Sequence, residues 1–428
     1  MSRDAQTVVP ALAPPLTASE GAFAWWREAD LRARRAFVAS ALGWMLDSFD
    51  VMLYSLVLAS LIQDPAMQLS TAVAGQLGAI TLLAAAAGGV VFGVVADRLG
   101  RKRALMAAVL IYSVFTAACG LAQTVPQLAV FRVLLGFGMG GEWATGVALV
   151  SETFPARHRG KALAFVQSAW AIGYGLAALV NLIVMPVWGW RGVFFVGVLP
   201  ALLTLWIRRK VEEPEMWHRT QASDRGRIGA LFTGERARTT IFIVLMNACC
   251  LFGWWGLNLW VPAYLNLPPE RGGVGLSSSA MSWFVMFMQV GMWFGYISFG
   301  YIADAVGRKP AYILFVLMAA VLLPIYGILR EPWMLLLLGP FVAFFGTGYF
   351  SGFGAVIAEL YPTSVRATAA GVGYNVGRIA SAVAPFVVGS MAGTQGFGVA
   401  FAIVGAAFLG AALMWLGIPA TGNKELVA

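Results

Sequence analysis

Four ionisable side chains stand in the middle of long apolar runs: Asp47 and Asp50 in one, Glu142 in a second and Arg378 in a third. An ionisable group in hydrocarbon costs about 2.5 to 3.5 kcal/mol even on insertion scales, so each marks a pathway or a relay by default. The types are complementary. A planar guanidinium holds a carboxylate through two parallel hydrogen bonds, a geometry that a point charge lacks. Carboxyl groups gathered in a low-dielectric chamber can take up and release protons near neutral pH. Together they predict a site that binds an anion and moves a proton with it. The competing expectation is that the charges pair only to hold helices together.

Such residues need elements that cross a membrane to position them. Hydrophobic residues make up 60% of the chain, charged residues 11%, and the mean hydropathy is +0.77, outside the range of an ordinary soluble domain. The chain therefore reads as an all-α polytopic membrane protein. A crossing takes about 20 apolar residues to span ~30 Å of hydrocarbon. Twelve such segments begin near Phe37, Ala74, Ala104, Gln127, Lys161, Arg191, Thr239, Ser277, Pro310, Pro332, Arg366 and Phe397. Asp50, Glu142 and Arg378 each lie some 12 or 13 residues into their spans. At ~1.5 Å per residue that is the bilayer midplane, where they can share one chamber. Asp47, Asp50 and Tyr54 fall on one face of span one, and Tyr374, Asn375, Arg378 and Ser381 on one face of span eleven. Arg378, Asn375, Tyr374, Asp50 and Tyr54 are the expected substrate contacts. Asp47, Asp50 and Glu142 are the expected proton carriers.

The spans come in two sets. Gly93-Val-Val-Ala-Asp97-Arg98-Leu99-Gly100-Arg101-Lys102-Arg103 returns 207 residues later as Gly300-Tyr-Ile-Ala-Asp304-Ala305-Val306-Gly307-Arg308-Lys309-Pro310. Glu152-Thr-Phe-Pro155 with Arg159 returns at the same offset as Glu359-Leu-Tyr-Pro362 with Arg366. Duplicated halves flanking a central site are a common plan for secondary transporters. Of 29 Lys and Arg, 24 lie in the tails and even-numbered loops, which places both termini in the cytoplasm and the chain in the cell (inner) membrane. Arg191, Arg271 and Arg330 lie in the opposite loops. The division expected is a tail over 1–36, six helices over 37–210, a cytoplasmic loop over 211–238, six helices over 239–418 and a tail over 419–428. Residues 1–36 hold no apolar run that would make a cleavable signal, so the first span is expected to be retained.

With these motifs in their order, residues 37–418 resemble the major facilitator superfamily. Leu46-Asp47-Ser48-Phe49-Asp50, Gly136-Phe-Gly138-Met-Gly140-Gly141-Glu142 and Pro186-Val-Trp188-Gly-Trp190-Arg191 narrow the resemblance to the sialate:proton symporters, a group that includes lactate permeases. Span seven, Asn247 to Asn258, lacks the His, Gln and Asp pattern that fungal lactate permeases carry there. Phosphate:proton symporters, similar in the same stretches, carry acidic residues matching Asp47, Asp50 and Glu142 and a cation matching Arg378. The superfamily resemblance further implies that ion pairs among Asp97, Arg101, Glu152, Arg159, Asp304, Arg308, Glu359 and Arg366 gate the cytoplasmic side. Their bland alternative is orientation by positive charge.

Other features narrow the function. The net charge of +9 sits in short loops rather than in a basic stripe, so nucleic acid is not an expected partner. Cys119, Cys249 and Cys250 lie in apolar spans without metal-ligand spacing, and His158 and His218 both lie in loops. There is no phosphate-binding loop and no catalytic constellation, so neither an enzyme nor a cofactor is expected. Gln167, Asn181, Asn247, Asn258 and Gln289 can bond between helices or line the site. Trp143, Trp170, Trp254, Trp255 and Trp283 read as belt or packing residues, with substrate stacking as the sharper alternative. Arg132 either snorkels to the interface or gates proton passage. The expectation is a monomeric proton-coupled symporter of a small organic acid anion, a monocarboxylate or sugar acid, working in the lipid bilayer by alternating access. A facilitator or exporter of a neutral solute, and a membrane sensor that binds without transport, are the alternatives.

Overall fold

A computed structural model describes residues 24–154, 156–210, 212, 231–232, 234–361 and 363–420, and every regular element among them is helical. After the short α1 (Ala24–Glu28), the first half comprises α2 (Leu31–Gln63), α3 (Thr71–Leu99), α4 (Arg101–Cys119), α5 (Val125–Thr153), α6 (Ala156–Val196) and α7 (Ala201–Lys210). The second comprises α8 (Gly234–Asn266), α9 (Ser278–Val306), α10 (Arg308–Ile328), α11 (Pro332–Thr347), α12 (Phe353–Leu360), α13 (Thr363–Ser381), α14 (Ala384–Gln395) and α15 (Phe397–Met414). In hydrocarbon every backbone group must find its partner within the protein, which leaves helices as the form these apolar runs can take.

Ten stretches among the described residues are long and apolar enough to cross a membrane. One of them, Lys161–Thr204, runs for 44 residues and turns at Gly189, where φ is +61°, so it carries two crossings. With α5, the helix interrupted by Arg132 and Glu142, the crossings number twelve. Helices start a few residues before the apolar runs because polar caps open them. Asp30 accepts from the Ala33 N–H at 2.7 Å, and Ser70, Thr124 and Ser277 cap α3, α5 and α9 in the same way. Outward-facing side chains are apolar, as lipid requires; Trp188, Trp283 and Trp333 are each more than 60% exposed.

The sequence repeat is also a backbone repeat. Gly100 joins α3 to α4 at φ 107°, ψ 152°, and Gly307 joins α9 to α10 at φ 94°, ψ 153°. Both turns need positive φ, which glycine adopts without a side-chain clash.

Two crossings are discontinuous. Span ten passes from α11 through a 3-10 segment, Gly348–Gly352, into α12, and span eleven breaks between Ser381 and Ala384. Irregular backbone at membrane depth is tolerated where it faces a cavity or is buried in protein.

The halves meet along three seams. On the first, Ser55 of α2 and Tyr174 of α6 both donate to the Asn258 carbonyl of α8, at 2.9 Å each. On the second, Asn181 of α6 donates to Ser282 of α9 at 2.9 Å. On the third, α3 lies so close to α14 that a Cβ on Gly75 would collide with the Pro385 carbonyl. Arg271 adds a bond to the Ile62 carbonyl at 3.0 Å, on the face bearing the odd-numbered loops.

Candidate functional site

The seams surround a cavity with about 330 Å³ of empty space, counting its open mouth. Trp44, Trp170, Trp254, Trp255 and Phe350 make its aromatic wall. Their rings form a chain: Trp44 to Trp170 at 4.6 Å between centroids, Trp170 to Trp254 at 5.3 Å and Trp254 to Trp255 at 4.8 Å. The polar lining comes from Arg378 and Tyr374 of α13, Gln167 of α6 and Tyr296 of α9. Both helix breaks border it: Phe350 lies in the span-ten interruption, and Arg378 occupies the last turn of α13 just before the span-eleven interruption. A cation is favoured at a helix C-terminus, where the peptide dipoles leave partial negative charge.

Arg378 is 3% exposed and makes no ion pair or side-chain hydrogen bond among the described residues; its Nε is buried without an acceptor. A guanidinium so placed can take an anion through its fork. Asp47, Asp50 and Glu142 are each 1% exposed. Asp47 is within electrostatic reach of Arg378 and of the other two carboxyls. One Asp47 oxygen lacks a hydrogen-bond partner among the described residues, and the Thr116 hydroxyl faces the Asp50 carboxyl. The Glu142 carboxylate lies where a side chain at Gly43 would be, and Gly146 and Ser40 flank it. Glycine at 43 makes the room.

The structure thus places Arg378 and Tyr374 on the cavity wall and Asp47 within electrostatic reach of both, with Asp50 and Glu142 in turn within reach of Asp47; the three carboxyls are not among the cavity-lining residues. Tyr54 and Asn375 stand elsewhere. The Tyr54 ring is fully buried under the Arg132 guanidinium, 3.6 Å from its centroid, and the hydroxyl donates to the Ala74 carbonyl at 2.8 Å. Asn375 turns its Oδ1 toward Gly89 of α3. Arg132 does not snorkel: it is 2% exposed and its Nε donates to the Leu77 carbonyl at 3.4 Å. Of the five uncharged amides, Gln167 reaches the cavity wall. Asn181, Asn247, Asn258 and Gln289 bond Ser282, the Gly373 carbonyl, the Trp254 carbonyl and the Val285 carbonyl.

Several residues escaped the sequence reading: Trp44, Tyr296 and Phe350 of the cavity lining, and one beside the carboxyls. Tyr112 of α4 is fully buried, its hydroxyl has no partner, and all three carboxyls lie within its electrostatic reach. An uncharged residue in an apolar run gives no signal beyond its lone phenol.

Among the gate candidates, the side chains of Asp97, Arg101, Glu152, Arg159, Asp304, Glu359 and Arg366 lie outside the described residues, as do those of His158, His218 and Trp143; Arg308 is half-buried. The three arginines of the odd-numbered loops all have structural partners. Arg191 pairs with Asp64 at 3.5 Å and donates to the Ala122 carbonyl, Arg271 reaches Ile62, and Arg330 donates to the Gly272 and Gly273 carbonyls at 2.9 and 2.8 Å. Partial burial pushes the Asp64 carboxyl up, but the Trp190 indole, the Ala66 N–H and Arg191 outweigh it and hold it below the usual aspartate value.

Known proteins share the sequence pattern and the fold of this chain. The Major Facilitator Superfamily profile matches residues 36–268 and 266–427. The chain is 34% identical over 368 residues to a probable 4-methylmuconolactone transporter of Cupriavidus pinatubonensis, covering 83% of each protein. It is 30% identical over 406 residues to the sialic acid transporter NanX of Escherichia coli, covering 94% of this chain and 98% of that one. The crystal structure of a D-xylose-proton symporter shares the fold, with a TM-score of 0.75 at 22% identity over 92% of this chain and 100% of that one.

Proposed function

The chain belongs to the Major Facilitator Superfamily, and from that premise we propose that it is a proton-coupled symporter of a small organic acid anion, a monocarboxylate or sugar acid, working by alternating access. One observation carries the reading: Arg378 stands at the wall of an aromatic cavity without an ion-pair partner among the described residues, and Asp47, one of three buried carboxyls, lies within its electrostatic reach. The guanidinium holds the substrate carboxylate through its fork. Loading Arg378 with an anion alters the field at Asp47, and Asp47 passes the change to Asp50 and Glu142. Proton uptake at the carboxyls and substrate binding at the cation are thereby linked. The relatives that carry 4-methylmuconolactone and sialic acid support a carboxylate substrate, and the flat indole walls favour the planar, unsaturated kind.

The two halves, 37–210 and 239–418, rock about the chamber, with both termini in the cytoplasm and the monomer as the working unit in the inner membrane. Asp97, Arg101, Glu152 and Arg159, with Asp304, Arg308, Glu359 and Arg366, close the cytoplasmic side. Reconstituted vesicles test the coupling. An inward acid gradient should drive accumulation of a labelled acid. Glu142→Gln should abolish accumulation yet keep exchange of internal for external substrate, because exchange moves no net proton. Full acid-driven accumulation by both Glu142→Gln and Asp50→Asn would refute carboxylate coupling, and absence of any counterflow would favour a sensor. Transport of neutral solutes alone, indifferent to Arg378→Ala, would favour a facilitator.

A further inference from the structure

The polar groups of the aromatic cavity belong to different seams of the bundle. Arg378 and Tyr374 come from α13, which packs along α8 and also touches α3. Gln167 and Tyr296 come from α6 and α9, the pair that meets along the Asn181–Ser282 seam. No charged residue is among the cavity-lining residues of this second group. The Gln167 side chain and the Trp254 indole flank the Tyr296 hydroxyl. Trp170 lines the cavity too, and its indole nitrogen is buried with no acceptor among the described residues, in a residue only 3% exposed. Buried donors without acceptors are costly, and native structures retain few of them. One on the cavity wall asks for an oxygen.

We propose that Gln167 and Tyr296, backed by the indole N–H of Trp170, form a neutral recognition pole that reads a second oxygen group of the substrate, distinct from the carboxylate on Arg378. The inference rests on Arg378 being the anion clamp. Amide and phenol both donate and accept, so the pole suits a hydroxyl or a carbonyl. It holds no cation, so a second ionised carboxylate would be buried there without compensation. The indicated ligand class is a flat, unsaturated monoanion with a neutral hydroxyl or carbonyl as its second polar group.

Calorimetric titration of the purified full-length protein with benzoate, 4-hydroxybenzoate and terephthalate separates the possibilities. 4-Hydroxybenzoate should bind about tenfold more tightly than benzoate, as one good added hydrogen bond allows, and terephthalate should bind most weakly. Tyr296→Phe and Gln167→Leu should each bring the benzoate to 4-hydroxybenzoate Kd ratio toward one, and Gln167→Asn should restore part of it. A packing role alone would not move that ratio. Equal wild-type affinities for those two acids, or a ratio untouched in both variants, would overturn the pole while leaving the clamp standing. Tightest binding of terephthalate would overturn its neutrality. Undiminished binding by Arg378→Ala would overturn the clamp instead, and binding of none of the three acids would overturn both.

Discussion

Arg378 owes its position to two local features, the last turn of α13 and the break that follows it. The carbonyl of Arg378 itself accepts from the Ala382 N–H at 3.1 Å and from the Ser381 hydroxyl at 2.9 Å, so the backbone under the guanidinium is tied down. A pinned backbone leaves fewer rotamers to freeze when an anion arrives. Arg378→Lys keeps the charge and loses the fork, and substrate affinity should fall about tenfold. Arg378→Ala should cost about 100-fold or more, in the range for truncating one partner of a buried charge pair. Both are read as Kd on purified protein that still elutes as a single species. The four deep charges were legible in the sequence because hydrocarbon makes a charge conspicuous. The surroundings of Tyr54 and Tyr112 were not, because a phenol fits an apolar run equally well facing a cavity, a carbonyl or another ring.

Elements were legible for the same reason and blurred where the apolar signal is silent. Apolar runs located the crossings, but the caps at Asp30, Ser70, Thr124 and Ser277 are single polar residues outside the runs, so the helices begin earlier than hydropathy indicates. The breaks in spans ten and eleven were invisible to hydropathy, since Gly348 to Gly352 and Ala382 to Pro385 contain no charge. Charge counting, likewise, made Arg191, Arg271 and Arg330 exceptions without saying what they do. Asp64→Asn, which removes the acceptor shared by Trp190 and Arg191, should lower stability by about 1 kcal/mol at neutral pH. Because the folded Asp64 carboxyl titrates below the ordinary 3.8, its contribution is present above that value and is lost as pH falls through the still lower native one. Thermal melts should therefore show wild type and Asp64→Asn converging below about pH 4. At the same rim Arg271→Ala removes one exposed bond between the halves, and the population open on that face should rise by up to about fivefold, measured by spin-label distances across the rim.

For the molecule as a whole, the duplication was the most readable feature, and its two glycine turns have nearly the same backbone angles. What differs between the copies is charge: Arg98 and Arg103 in the first stand where the second has Ala305 and Pro310. The first copy should form the denser ion-pair network, so Asp97→Asn should favour opening on that side, and slow transport, more than Asp304→Asn does. A bias of a few kcal/mol shifts a two-state population substantially. Labelling of pore-facing cysteines in a cysteine-free background should rise more in the first variant; equal or reversed changes would reject the assignment. Span eleven bears on the same movement. Its lower piece, α13, is clasped by α8 of its own half, where Asn247 donates to the Gly373 carbonyl at 2.8 Å. Its upper piece, α14, is pressed against α3 of the other half, with a side chain at Gly389 barred by the Thr71 carbonyl and the Trp260 ring. The crossing is therefore a two-piece linkage whose pieces answer to opposite halves, with Arg378 just below the elbow. When the halves swing, the elbow must flex, so the residue that grips the cargo also rides on the joint that registers which way the door stands.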